Sequence, residues 1–463
     1  MSTSFAQDIP FRVSEPIDLV IDDLKSYIPD RMNEAEVPGL TIALIRNNQI
    51  VWTDGFGLEK RWSDRPALPQ TVFEVASISK VVTAYTALLL VEEGKLLLDE
   101  PVHNYLKKQW LPASIFSDKI TLRHLLSHSS GLGDNQLFKS KRIEFEPGTD
   151  FLYSGLGAEY VREIIEQITG KSLEEVATEK VFKPLGMSNS SFINEPGIMN
   201  KMANGHMRYL VILLVFLIPF ISIVFIIGII TLILNRLIKK SWQMTWQFKA
   251  GVGLLAIILT ELLLYIFIGN PFPNLIWITA LCAFVFFVII SLSYLFIHRL
   301  ILLITPIREK SILKVTVKIL WMVVSLIIFF VLVHYFSIPV PKNYSSEASA
   351  IGSLRSTAPD LAIFLTELTN LKYLNESIAS QLDSPQVNIN QDFSWGLGIG
   401  IQHTTNGNAI WQNANTLAFR GIMVIYPQEG HGVVVLTNSD SGLPVAYDVA
   451  ERAIGGEAKW KLF

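Results

Sequence analysis

The chain has 463 residues, more than one ordinary hydrophobic core holds, so two or three structural units are expected. Hydrophobic residues make up 50% and charged residues 17%, which argues against both an ordinary soluble domain and a pure membrane bundle. The net charge of −3 gives no indication of a nucleic-acid partner. A single cysteine, Cys282, excludes internal disulfides and a cysteine-rich metal site, and no cofactor or metal is expected.

The N-terminal segment does not have the pattern of a secretory signal peptide. Met1–Leu19 contains three acidic residues, Asp8, Glu15 and Asp18, and no apolar run. Either a natural signal lies outside this sequence, or the chain enters a membrane by another route.

Residues 1–208, the first flank, are predicted to combine strands and helices. Leu40–Ile45 and Ile50–Thr53 are short apolar strands, and Arg46–Gln49 between them has the composition of a hairpin turn. A helix is predicted over Ser77–Glu93, where Gly94 in the C′ position ends it.

Four long apolar runs follow, and each approaches the ~20 residues that a helix needs to cross a bilayer. They are Leu210–Leu234, Ala250–Ile268, Leu275–Ile297 and Ile319–Phe336. Buried core helices are the alternative, but four consecutive runs with few charges favour an all-α, four-helix transmembrane bundle.

The loops between the runs predict how this bundle is oriented. The first and third loops are rich in Lys and Arg, whereas the middle loop, 269–274, carries no charge. The positive-inside rule therefore places the first and third loops in the cytoplasm. Residues 1–208 and 341–463 then share the outer side of a cell membrane, so they are expected to form one discontinuous domain with 209–340 inserted.

Residues 341–463, the second flank, are also predicted to contain strands. Gly421–Tyr426 and Gly432–Thr437 are predicted strands around the turn Pro427–Gly430. Strands near both chain ends predict one antiparallel sheet whose edges come from both termini. Gly396–Gly400 superficially resembles a nucleotide-binding loop, but no phosphate-binding context follows, so a glycine-rich strand is predicted.

Two segments contain residues suited to nucleophilic catalysis. Ser77 and Lys80 form S-x-x-K at the predicted helix start, where residues three apart share a face. The helix N-terminus disfavours the ammonium form of Lys80, and a neutral amine accepts the proton of a serine nucleophile. Tyr153 beside a lysine would have a lowered pKa and could shuttle protons. S-x-x-K occurs often by chance, and tyrosines often serve only in packing. These residues alone therefore do not decide between a catalytic and a structural role.

An ordered series of segments resembles the β-lactamase-related serine hydrolases: class C β-lactamases, penicillin-binding proteins, D-alanyl-D-alanine carboxypeptidases, D-aminopeptidases and esterases. The segments are Val37–Leu40, Phe73–Lys80, Gly94–Val102, Thr121–Leu132, Pro147–Tyr153, Phe182–Met187, Ala348–Ala358 and Gly432–Asn438. They cover both flanks and none of the residues between 209 and 340. The resemblance implies a β-lactamase/penicillin-binding-protein-like hydrolase domain of α/β (α+β) class.

The resemblance also implies roles for individual residues. Ser77 would be the acylated nucleophile, Lys80 its partner and Tyr153 the general base. The backbone N–H of Ser77 would be one oxyanion donor, and a second would come from the strand edge near residues 415–417. Core or capping roles are expected for two histidines of a matching segment, His124 and His128.

The sequence departs from the family pattern at four substrate-binding positions. The family's Tyr-Ser-Asn or Tyr-Ala-Asn has Gly155 at its third position here, so a substrate-positioning amide is missing. Where the family has Lys-Thr-Gly or His-x-Gly, this chain has Gln412, Asn413 and Ala414, so the cation for a substrate carboxylate is missing too. Ala414 also replaces the glycine that lets the strand edge approach the substrate.

Three functions of different kinds fit these observations. The first is a membrane-anchored serine hydrolase that is acylated on Ser77 by a small peptide or ester substrate, with cell-wall peptides as one candidate. The second is a catalytically weak pseudo-hydrolase that binds a ligand outside and signals or scaffolds through the bundle. The third is a small transporter, in which Glu261, the only acid within an apolar run, would act. The intact set of Ser77, Lys80 and Tyr153 favours the first.

Overall fold

The computed structural model describes residues 9–61, 63–133, 141–207 and 347–462. The chain divides into two units, residues 1–206 with 344–463 and residues 207–343. The four apolar runs, the loops between them and Glu261 lie outside the described residues. Within the four described ranges, no helix combines the length and the hydropathy needed to cross a bilayer.

The described part of the chain contains both helices and strands. The helices are α1 (Ile17–Glu34), α2 (Ile78–Glu92), α3 (Leu122–Leu126), α4 (Gly155–Thr169), α5 (Leu173–Ala177), α6 (Lys183–Leu185), α7 (Pro196–Met199), α8 (Ala358–Asn370), α9 (Glu376–Leu382) and α10 (Gly442–Ile454). The strands are β1 (Gly39–Arg46), β2 (Gln49–Gly57), β3 (Phe73–Glu74), β4 (Arg355–Ser356), β5 (Val387–Asn388), β6 (Phe393–Trp395), β7 (Gly400–Thr404), β8 (Gly407–Asn415), β9 (Arg420–Tyr426) and β10 (His431–Thr437).

Eight of the strands form one antiparallel sheet in the order β2-β1-β10-β9-β8-β7-β6-β5. β1 pairs with β10, from Leu40 opposite Thr437 to Ile45 opposite Gly432, so both flanks share one sheet. The predicted antiparallel sheet with strands from both flanks is therefore confirmed, although β3 and β4 form a second, two-stranded sheet. The prediction about its edges is only half right: β2 forms one edge, β5 forms the other, and the last strand, β10, lies inside.

The β1–β2 hairpin forms as the sequence predicts. Asn47 and Asn48 both have left-handed backbone conformation, with φ of 53° and 57°. Asparagine tolerates this conformation better than most residues, and it suits a two-residue hairpin turn. The strands run further than predicted, because β2 continues to Gly57.

One hydrophobic cluster joins the sheet to two helices. Helix α1 contributes Val20, Leu24 and Ile28 to it, and α10 contributes Val445, Val449 and Ala453, all of them fully buried. Helix α2 lies outside this cluster, is buried from Ile78 to Leu90, and packs against α4, α5 and β8. The start of α2 is thus fixed between the sheet and the other helices.

The glycine-rich strand predicted over 396–400 does not form. These residues make the turn between β6 and β7, and only Gly400 belongs to a strand. Gly398 has φ of +93°, and a Cβ there would lie 2.2 Å from Ala84 Cβ. The prediction was wrong because Gly398 allows this turn to pack closely against α2 and does not take part in strand pairing.

Candidate active site

Ser77 lies at the start of α2, where the backbone changes direction sharply. Ala76 has φ of 46°, a left-handed conformation that costs a non-glycine residue about 1–3 kcal/mol. Ser77 returns to helical angles as the N-cap residue, and its side chain makes no capping bond to the helix. The helix runs over Ile78–Glu92 before Gly94 adopts φ of 68°, as predicted. The Ser77 hydroxyl is therefore held at a helix N-terminus, where negative charge is stabilised.

Lys80 is held one turn into the helix, against Ser77. Its Nζ donates to Ser77 Oγ at 3.2 Å and to the backbone carbonyl oxygen of Ile351 at 2.8 Å. The same nitrogen lies 5.2 Å from the centre of the Tyr153 ring. Only 7% of Lys80 is exposed, so little water competes for these contacts. The three residues predicted for catalysis are thus close together.

Tyr153 packs in an aromatic cluster beside Lys80. Its ring centre lies 4.4 Å from that of His128 and 5.5 Å from that of Trp395. His128 Nδ1 accepts a hydrogen bond from the Ser154 N–H at 3.2 Å. Burial, and secondly the positive charge of Lys80, lowers the pKa of His128 to about 3, so its ring is neutral at pH 7. His128 therefore has the core role expected for it.

His124 has the capping role expected from the sequence. The Thr121 hydroxyl oxygen accepts from the His124 N–H at 3.3 Å, and His124 Nδ1 accepts from the Thr121 N–H at 3.3 Å. These reciprocal bonds form a capping box at the start of α3. Burial lowers the pKa of His124, which keeps Nδ1 available as an acceptor.

Gln412, which stands where the family has the first residue of Lys-Thr-Gly or His-x-Gly, approaches Tyr153. It lies on β8 and is 2% exposed, and its Nε2 is 3.5 Å from Tyr153 Oη, at the limit of a hydrogen bond. Nε2 also donates to the backbone and side-chain oxygens of Asn413, at 3.1 and 3.3 Å. Gln412 Oε1 is buried without a hydrogen-bond partner among the described residues. A neutral amide thus stands where the resemblance implies a cation.

The other predicted substrate-binding residues are nearby in the fold. Asn413 Nδ2 lies 3.2 Å from Tyr447 Oη on α10, so this side chain is engaged by the protein itself. Ala414 is fully buried within β8. Gly155 is the first residue of α4, after Ser154, whose Oγ accepts from the Gly157 N–H and caps the helix. Substrate contacts by these residues stay predictions.

Asn415 is the candidate for the second oxyanion donor expected near residues 415–417, and this role stays a prediction. Strand β7 pairs with β8 only as far as Gly400 opposite Trp411, so β7 does not cover the edge of the following β8 residues. The Thr416 N–H bonds to Phe419 O on the opposite side. Because hydrogen-bonding directions alternate along an antiparallel strand, the N–H of Asn415 points to the uncovered edge.

The sequence does not single out Ile351, although its carbonyl oxygen accepts a 2.8 Å hydrogen bond from Lys80 Nζ. It lies in a turn over 349–353 that also touches α2, because the Leu354 N–H donates to Ser79 Oγ at 3.0 Å. A backbone acceptor has no side-chain signature. The only signal was the family-like segment Ala348–Ala358, in which no single residue stands out.

The first part of the chain is similar in sequence to a known protein family. Residues 24–209 match the family model described as Beta-lactamase. Esterase EstB from Burkholderia gladioli is 28% identical over 206 residues, which cover 37% of this chain and 51% of that protein. The chain therefore spans about half the length of the curated relatives it matches.

Two solved structures share the fold. The octameric penicillin-binding protein homologue from Pyrococcus abyssi has a TM-score of 0.59 and 19% identity, and the match covers 96% of this chain and 77% of that one. D-alanine carboxypeptidase AmpC from Burkholderia cenocepacia has a TM-score of 0.59 and 13% identity, with 95% and 99% covered. The domain has the β-lactamase and penicillin-binding-protein fold. At family level, the family model and the relatives support a β-lactamase-fold serine hydrolase.

Proposed function

We propose that this chain is a membrane-anchored serine hydrolase that is acylated on Ser77 by small ester or peptide substrates. The position of Lys80 is the main support for this proposal. Lys80 Nζ lies 3.2 Å from Ser77 Oγ, and a second hydrogen bond, to Ile351 O, orients the amine. A serine hydroxyl is a weak nucleophile unless a neighbouring group accepts its proton. Lys80 with Tyr153 beside it supplies that group.

The reaction has two steps. In the first, Ser77 Oγ attacks the substrate carbonyl carbon, and its proton passes to the pair formed by Lys80 and Tyr153. The N–H groups of Ser77 and Asn415 stabilise the tetrahedral oxyanion, and the bond to the leaving alcohol or amine breaks as that group takes the proton. In the second step, water attacks the acyl carbon and gives a proton to the same pair, and the bond to Ser77 Oγ breaks as this proton returns to it.

Neutral esters suit this site better than substrates with a carboxylate. Gln412 offers an amide where a cation would bind a carboxylate, and Gly155 offers no side-chain amide. A charge-assisted hydrogen bond is worth about 1.5–3 kcal/mol, so its absence lowers affinity roughly ten- to a hundredfold. A small ester needs only the nucleophile and the oxyanion donors. The likeness to an esterase supports esters, whereas an extracytoplasmic location would favour cell-wall peptides.

The membrane anchor is proposed from the sequence. Four apolar runs between 209 and 340 each approach the length of a bilayer span, and the basic residues of the first and third loops favour a cytoplasmic side for those loops. We therefore place both flanks outside the cytoplasm, with the lipid bilayer as the partner of the inserted segment.

Hydrolysis of a short-chain nitrophenyl ester by the full-length protein tests the proposed reaction. The wild-type chain should hydrolyse the ester, and Ser77→Ala should not. Ser380→Ala, at an exposed serine on α9, is the matched control and should keep wild-type activity. An inactive wild-type chain, or an active Ser77→Ala variant, would contradict the proposal and favour a pseudo-hydrolase that binds without turnover.

A further inference from the structure

We propose that Glu159 is a positioning residue for the acylation of Ser77. Through the turn over 349–353, it holds the Ile351 carbonyl against Lys80 and so keeps the Lys80 amine directed at Ser77. This role rests on the proposed function, because it concerns the rate at which Ser77 reacts.

Both backbone polar groups of Ile351, the carbonyl and the N–H, make hydrogen bonds. Its carbonyl oxygen accepts from Lys80 Nζ at 2.8 Å, and its N–H lies 3.3 Å from Glu159 Oε1. Ser349 Oγ donates to the same carboxylate oxygen and accepts from the Ile351 N–H at 3.2 Å. One oxygen of Glu159 therefore fixes the turn at two points, immediately before the carbonyl that orients Lys80.

Glu159 is itself held in place on α4. Arg162 Nε donates to Glu159 Oε2 at 2.6 Å, and Arg162 also bonds to Glu166 at 2.7 Å. The two carboxylate oxygens thus have separate partners, since Oε2 faces Arg162 and Oε1 faces the turn. Tyr153 lies two residues before the first residue of α4, Gly155, so the first turns of α4 follow Tyr153 and also carry Glu159.

The turn has a second anchor that does not depend on Glu159. The Leu354 N–H donates to Ser79 Oγ at 3.0 Å, which ties the downstream end of the turn to α2. Ile351, by contrast, is 37% exposed, so its side chain does little to fix its carbonyl. Loss of the Glu159 carboxylate should therefore loosen the Ile351 carbonyl without unfolding the domain. Lys80 would lose its 2.8 Å hydrogen bond to Ile351 and with it a constraint on its direction towards Ser77.

Two substitutions of Glu159 separate positioning from general stability. The amide oxygen of Glu159→Gln can still accept from Ser349 Oγ and the Ile351 N–H, whereas Glu159→Ala accepts from neither. The measurement is the maximal rate constant for phosphonylation of Ser77 by a fluorophosphonate, in which Ser77 Oγ displaces fluoride from phosphorus, together with the apparent binding constant of the probe, on the full-length chain. Glu159→Ala should lower the rate constant about 10- to 100-fold with little change in binding, because misplacement of a reacting group costs rates of this order. Glu159→Gln should restore most of the rate.

Glu163→Ala is the matched control. Glu163 lies on the same helix and accepts from Gln167 Nε2 at 3.3 Å, so its removal should leave the rate unchanged. Adding Ser349→Ala to Glu159→Ala should cost little more, because both changes remove the same contact. Should Glu159→Ala fail to fold, Ser349→Ala alone carries the test and should slow phosphonylation of Ser77 several-fold.

The possible outcomes separate this role from the proposed function. A wild-type rate in Glu159→Ala, or in Ser349→Ala where that variant carries the test, would overturn the positioning role if Ser77→Ala is unlabelled. A rate for Glu159→Gln as low as that for Glu159→Ala would also overturn it. The rate would then depend on the ion pair between Glu159 and Arg162 and not on the hydrogen bonds to the turn. Labelling that persists in Ser77→Ala would instead refute the proposed function itself.

Discussion

Lys80 Nζ lies closer to the carbonyl oxygen of Ile351, at 2.8 Å, than to the hydroxyl oxygen of Ser77, at 3.2 Å. Lys80 and Ile351 are 271 positions apart in the sequence and belong to different flanks of the discontinuous domain. The direction of the lysine amine is therefore set by the second flank, although the S-x-x-K segment lies entirely in the first. Folding of the two flanks together is a condition for the site to form.

Substitution of Lys80 should slow the reaction of Ser77 with an electrophile far more than it affects folding. Lys80→Ala should lower the rate of fluorophosphonate labelling about 10²- to 10⁴-fold, the range that a positioned acid–base group contributes. Lys80→Arg should be similarly slow, because a guanidinium stays protonated and cannot accept a proton. Labelling kinetics at pH 7 check this. A Lys80→Ala rate within tenfold of the wild-type rate would exclude Lys80 as the partner of Ser77.

The stability of the domain should fall in mild acid, in part because of His128. Burial lowers the pKa of His128 from 6.5 to about 3 in the folded protein. Between these values the unfolded chain binds a proton that the folded domain does not, so the free energy of unfolding decreases as the pH falls below about 6.5. The decrease from this residue is about 1.4 kcal/mol per pH unit.

His128→Asn should make this loss of stability less steep. Asparagine tolerates the left-handed φ of 56° at this position, and its Oδ1 can accept from the Ser154 N–H. The melting temperature of the full-length chain, measured from pH 7 to pH 5, should fall less in the variant than in the wild type. His103→Asn, at an exposed histidine, should keep the wild-type slope. Equal slopes in all three proteins would show that His128 is not the group responsible.

Restoring the family residues at the substrate-binding positions should change substrate preference. Gly155→Asn combined with Gln412→His and Ala414→Gly should raise kcat/KM for a carboxylate-bearing substrate relative to a neutral ester by roughly ten- to a hundredfold. The ratio of the two kcat/KM values, measured in the wild type and the triple variant, checks this. An equal effect on both substrates would mean that these positions do not contact the carboxylate. Fast penicillin turnover by the wild-type chain would refute the loss of carboxylate binding outright.

The orientation of the inserted segment can be tested with single cysteines. In a Cys282→Ala background, Asn270→Cys should react with an impermeant maleimide in intact cells, because the uncharged middle loop is predicted to lie outside. Lys239→Cys and Lys310→Cys should react only after lysis. The reverse labelling pattern would place the hydrolase domain in the cytoplasm and exclude cell-wall substrates.

Features that depend on neighbouring residues were predictable from the sequence. The hairpin turn at Asn47 and Asn48 follows from the backbone preference of asparagine, and the end of α2 follows from Gly94. The approach of Lys80 to Ser77 follows from the helix repeat alone. Each of these depends on a few consecutive residues, which the sequence contains in full.

Features that depend on contacts between distant segments were not predictable. The place of β10 inside the sheet depends on its pairing with both β1 and β9, and not on its own alternation pattern. The Ile351 carbonyl has no residue type to mark it, and the 3.5 Å approach of Gln412 to Tyr153 depends on how β8 meets the loop before α4. The turn at Gly398 was misjudged because its packing partner, Ala84, is far away in the sequence.

Peptide mass spectrometry of the full-length chain after reaction with a fluorophosphonate, which phosphonylates an activated serine, tests the role of Ser77 as the nucleophile most directly. The predicted result is one adduct, on the peptide that contains Ser77, absent in Ser77→Ala and formed much more slowly in Lys80→Ala. An unmodified Ser77 after exposure to excess probe, or an adduct that persists in Ser77→Ala, would contradict the assignment of Ser77 as the nucleophile.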